Sequence, residues 1–157
     1  MNSYTIYFLA LLIGVVAGLR TMTAPAAVSW AAHLGALKVG GTWLAFMGYS
    51  ATPWILTLAA IAELISDQLP TTPSRKTPVP FAARVLSGGL CGSAVAIAAE
   101  SWAIGAAFGV IGAIVGTLGG FGFRFRLAQA FRRDRSAAFL EDAVAIVGAA
   151  LIVGAFA

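Results

Sequence analysis

The chain has 157 residues, of which 60% are hydrophobic and 10% charged, far from the near-quarter charged fraction of a soluble domain. Its formal charge of +4 is concentrated between apolar segments, where retention of cytoplasmic loops and contact with anionic lipid account for it better than nucleic acid does. One cysteine, Cys91, permits no intrachain disulfide and no cysteine metal centre. The apolar residues fall in blocks of about twenty, long enough to cross a bilayer as helix, and the Ala- and Gly-rich blocks lack the alternation of a barrel. The sequence therefore predicts an all-α integral membrane bundle forming one domain over residues 1–157.

The first apolar segment runs from about Tyr4 to Thr23, with a tail through Pro25 to His33. Its opening residues carry no Lys or Arg, which favours a spanning helix over a secretory signal. Pro25 either kinks this helix or starts a short interfacial one over residues 26–34. Arg20 is too costly to face lipid at depth, so it reaches an interface, pairs with a buried acid or attracts an anion. Thr21 and Thr23 can add hydroxyl ligands there or satisfy nearby carbonyls. His33, the only histidine, reads as a surface residue.

A second helix is predicted from about Thr42 to Gln68, anchored by Trp43 and open to bending at Pro53. Near its end Glu63 and Asp67 lie four residues apart and so share one face. The proline-rich stretch that follows, with Arg75 and Lys76, reads as a connection. Arg84, early in a third helix (about Pro80 to Ala99), can approach both acids from the facing helix. Gly88 and Gly92 on that helix have small-residue packing spacing. Glu100 and Ser101 make a brief turn, so the third and fourth helices should be antiparallel neighbours.

Trp102 to Phe123 is uncharged, and Gly105, Gly109, Gly112, Gly116 and Gly120 trace nearly one face of it, suited to close contact within a subunit or across an oligomer axis. Arg124, Arg126, Arg132, Arg133 and Arg135 then mark a cytoplasmic loop. A last helix, from about Ala137 to Ala157, begins with Glu141 and Asp142. With both basic connections inside, the chain has five predicted transmembrane helices, an N-terminus inside and a C-terminus outside. Glu63, Asp67, Arg75, Lys76, Arg84, Glu141 and Asp142 then meet one membrane face, and Arg20 lies toward the other.

These residues predict a small transporter or channel with an Arg/acid site near the cytoplasmic side, carrying a small ion or an anionic solute. The alternative is a noncatalytic membrane scaffold or lipid-binding module. Membrane lipids and further copies of the chain, as a homo-oligomer, are the expected partners. No P-loop, metal-ligand cluster or cofactor motif is present, and nothing supports nucleic-acid recognition.

The stretches GLRTMTAP around Arg20 and ARVLSGGLCG around Arg84, with the region from Asp67 to Pro80, resemble the DUF4126 family of small bacterial multi-pass membrane proteins. The resemblance implies a multi-pass fold in a bacterial inner membrane and carries no chemical function. An arginine followed by Thr or Ser and small residues in each half also suggests a diverged inverted repeat, with Arg20 and Arg84 facing opposite sides of the membrane.

Overall fold

The computed structural model describes residues 1–67, 77–131 and 134–157, and within its helices it leaves aside the side chains at 98, 121 and 123–138. The described residues form six α-helices and no sheet: α1 (Ser3–Leu19), α2 (Thr23–His33), α3 (Thr52–Ser66), α4 (Pro78–Ala96), α5 (Trp102–Phe131) and α6 (Asp134–Gly154). Two 3-10 turns, Ala45–Gly48 and Ile97–Ala99, precede α3 and follow α4.

Local chemistry accounts for the helix limits. The Asn2 side chain accepts the Thr5 N–H at 2.9 Å and caps α1. Arg20, in extended backbone (φ −138°, ψ 114°), ends that helix. Pro25 falls in the first turn of α2, and Pro53 and Pro78 occupy the first turns of α3 and α4, where the missing N–H costs little. Glu100 takes a left-handed conformation (φ 53°) at the end of the 3-10 turn that follows α4, and the chain turns back into α5.

Three helices make the centre, and glycine sets their spacing. A Cβ on Gly14 or Gly18 of α1 would overlap the α5 backbone at Gly109 or Ala113, and one on Gly92 of α4 would overlap it at Gly105. Gly105 and Gly109 face α4, whereas Gly112 and Gly116 face α1 at Leu11 and Val15; Gly88 also meets α5, and Gly120 is buried. The glycine strip is thus filled by contacts within the chain, so it offers no ground for an oligomer. Rising register between α1 and α5 makes them parallel, and falling register between α4 and α5 makes them antiparallel.

Several sequence expectations need correction. Among the described residues two helices, Pro78–Ala96 and Trp102–Gly120 within α5, are long and apolar enough to cross a membrane, not five; Ser3–Leu19 and Thr52–Ser66 are shorter apolar helices. The first segment is broken, but at Arg20–Met22 and not at Pro25. Its second half is no interfacial helix, since Thr23, Ala24, Pro25, Val28 and Ser29 are all buried in the bundle. The second segment is shortened because residues 42–51 form turns before Pro53. Arg124 and Arg126 do not lie in a loop: α5 continues to Phe131, and α6, which starts at Asp134, holds Arg135, while Arg132 and Arg133 lie outside the described residues.

Because α2 reverses the chain, six helices alternate in direction, and both ends of the chain reach the same end of the bundle. Tyr7 stacks on Phe108 near the start of α5 at 5.8 Å. Phe156 and Ala157 line an apolar cavity of about 500 Å³ with Leu34 and Ala36, beyond α2. The predicted separation of the termini gives way to this. The halves α1–α3 and α4–α6 do run in opposite senses, but α2 has 11 residues where α5 has 30, and Arg20 and Arg84 lie at the same end.

The two ends differ in composition. All four Trp and all three Tyr fall near the start of α1, α3 or α5, in the last turns of α2, or in residues 42–51. Arg20 and Arg84 lie at the other end, where α3 and α5 end and α4 and α6 begin. Large apolar side chains face outward along whole helices: Ile55, Leu58, Ile61 and Ile65 on α3; Ile104, Phe108, Ile111, Val115 and Leu118 on α5; Val144, Val147 and Leu151 on α6.

Candidate functional site

A helix interrupted inside a bundle leaves the last carbonyls of one half and the first N–H groups of the other without partners. Between α1 and α2 those groups are met by side chains from three other helices. On α3, both Glu63 carboxylate oxygens accept backbone N–H groups, from Thr21 and Met22, each at 2.8 Å. That places a negative charge at the N-terminus of α2, where the helix dipole favours it. From α4, Arg84 Nη1 donates to the carbonyls of Gly18 (2.9 Å) and Leu19 (2.8 Å), and Ser87 donates to the Thr21 carbonyl at 2.6 Å. From α5, the Thr117 hydroxyl lies 2.7 Å from the Ala113 carbonyl and 3.2 Å from that of Gly18.

Arg20, turned out of the helix by its extended backbone, is the centre of a second group. Its side chain is fully buried. Nη1 donates to Asp67 Oδ2 at the C-cap of α3, and Nη2 pairs with Asp142 Oδ1 on α6 as an ion contact without hydrogen-bond alignment. One guanidinium thus ties three elements that are distant in sequence. Its Nε and the buried Thr23 hydroxyl have no hydrogen-bond partner among the described residues. Glu141, next to Asp142, is also buried. Arg84 Nη2 approaches Glu63 Oε1 to 3.9 Å, which places the two polar groups side by side.

The sequence placed Glu63 and Asp67 on one face, with Arg84 opposite, and the structure brings these three together with Glu141 and Asp142 at one end of the bundle. The partnership differs from the expected one. Arg20 lies with this cluster and not at the opposite end from it, and it holds Asp67 and Asp142, while Arg84 donates from Nη1 to backbone near Glu63. The reversal by α2 is the physical reason. Thr21 enters through its backbone N–H and C=O. Arg75 and Lys76 lie outside the described residues. Thr117 was missed, although a lone hydroxyl in an otherwise apolar glycine strip is the signal that could have found it. Among the described residues no group of three or more His, Cys, Asp or Glu side chains could hold a metal ion.

No family model matches the chain, and no curated protein or solved structure matches it either. The resemblance to the DUF4126 family therefore rests on the quoted stretches alone. Over the described residues the protein is all-helical, with two apolar helices long enough to span a membrane and with buried Arg–Asp/Glu ion pairs.

Proposed function

We propose that the protein is a small multi-pass transporter or channel of the bacterial inner membrane, with Arg20, Asp67 and Asp142 as the polar site through which a small ion or anionic solute passes. One observation carries the reading: a fully buried guanidinium sits at a helix interruption between carboxylates of two other helices. Ionisable groups within a membrane bundle are costly and concentrate on solute and proton pathways, and interrupted helices near such groups are a recurring transporter device. Exchange of guanidinium partners, Asp67 for Asp142 or either for a solute, is the chemistry the site offers.

A bilayer environment is supported by the outward apolar faces of α3, α5 and α6, since large exposed apolar patches mark membrane or protein contact sites. Membrane lipids are then the partners of those faces. The positive-inside rule puts the Arg20 end in the cytoplasm and both chain termini outside. Impermeant thiol reagents on intact cells should label Asn2→Cys and Ala157→Cys but not Ser136→Cys. Opposite accessibility of the two terminal probes would refute the arrangement.

The function is tested in proteoliposomes with protons, monovalent ions and inorganic phosphate as cargo. Flux should occur with the wild-type chain and fall at least about tenfold, or about 1.4 kcal/mol in barrier height, in Arg20→Gln and Asp142→Asn inserted to equal levels. Absence of flux for every cargo, or full flux in both variants, rejects the proposal. The second reading, a noncatalytic scaffold or lipid-binding module, is favoured by Glu63 and Arg84, whose carboxylate oxygens and Nη1 respectively cap backbone; it gains if both variants lose assembly and the wild type moves nothing.

A further inference from the structure

We propose that Arg84 is a resident cation: its guanidinium fills, at the C-terminus of α1, the place where unwound membrane helices hold a bound cation, so the break between α1 and α2 is permanent and needs no ligand. In interrupted helices the freed carbonyls commonly coordinate a sodium ion or proton carrier, which makes the interruption depend on that ligand. Here the Gly18 and Leu19 carbonyls converge on one nitrogen of Arg84, at 2.9 and 2.8 Å. Arg84 is 4% exposed, so bulk water does not compete for those carbonyls.

The surroundings complete the cradle. Glu63, 3.9 Å from the second guanidinium nitrogen, supplies the counter-charge while capping Thr21 and Met22. Ser87, one helical turn beyond Arg84, donates to the carbonyl of Thr21. A Cβ on Gly88 would collide with Ala113 and Gly109, so this glycine lets α4 lie close enough to α5 for Arg84 to reach α1. A tethered guanidinium cannot dissociate, and it donates from fixed planar positions. The Arg84–Glu63 group is therefore a constitutive clamp, and any response to a solute falls to Arg20, Asp67 and Asp142. This inference goes beyond the transport reading, and its test reads backbone protection and not flux, so either can fail alone.

The test is amide hydrogen exchange of the full chain in detergent, read at Arg20, Thr21 and Met22. These amides should be slow in the wild type. In Arg84→Ala they should exchange at least about tenfold faster, a local loss of protection, and millimolar guanidinium chloride should restore them while equal sodium chloride does not. Wild-type protection in Arg84→Ala, or fast exchange that guanidinium leaves unchanged, overturns the proposal. If the Ala variant does not fold, Arg84→Gln keeps length and a donor without the charge. Fast exchange in that variant, slowed by guanidinium, supports the resident cation; wild-type protection overturns it.

Discussion

At the charged end Arg20 is fully buried between Asp67 and Asp142, whereas at the aromatic end Trp43 and Trp102 meet edge to face at 5.8 Å with about half of each side chain exposed (55% and 51%). Both ends clasp helices distant in sequence, but by unlike means. Buried ion pairs are directional, and removing one partner strands the other without water. Aromatic contacts depend mainly on area, and a half-exposed pair loses little when one ring shrinks. The charged end should be specific and brittle, and the aromatic end tolerant.

The largest expected effect follows from Arg20→Met, which keeps apolar bulk and leaves Asp67 and Asp142 facing each other. We predict a loss of about 3–5 kcal/mol, the range for breaking a buried pair, measured by unfolding in detergent. Melting within a degree of wild type would mean the pair is not what joins α3 and α6 to the break. Gly109→Ala comes next and probes the glycine seam between the ends. A Cβ there would overlap the Gly88 backbone, and overpacking of this kind costs about 1–3 kcal/mol. If the Ala variant is as stable as the wild type, α4 and α5 are not in close backbone contact.

Ser87→Ala removes a single donor and leaves the part-buried Thr21 carbonyl without it. We predict a loss of about 1 kcal/mol, with the ion pairs intact. An effect as large as that of Arg20→Met would show that the capping and ion-pair groups act as one unit, which a double-mutant cycle would measure directly.

Much of the helical content was legible in the sequence, because Gly- and Ala-rich apolar runs and proline positions mark helices locally. The common face of Glu63 and Asp67 and the approach of Arg84 followed from helical spacing. Partner choice did not. It depends on α2, whose 11 residues are too few to read as a crossing, and Pro25 fits a kink as well as a first turn. Without that reversal Arg20 falls at the wrong end, and its acids are assigned to Arg84. The extension of α5 past Phe123 was hidden for another reason: a run of arginines reads as a loop by charge, although Arg, Leu, Ala and Gln are all good helix formers.

The smallest effect should come from Trp102→Leu at the aromatic end. Leucine keeps an apolar side chain at the start of α5 and gives up only the edge-to-face contact with Trp43. Aromatic pairs contribute about 0.5–1.5 kcal/mol beyond their area, and exposure of both rings places this one at the lower limit, about 0.5 kcal/mol. Tyr7 on Phe108 and Trp30 against Trp54 remain as separate contacts at that end, while Trp30 also donates to Thr57 at 3.0 Å. Loss of one pair therefore leaves α1, α2, α3 and α5 joined there. A melting change rivaling that of Arg20→Met would break the contrast between the two ends, since it would make the aromatic contacts as indispensable as the buried charges.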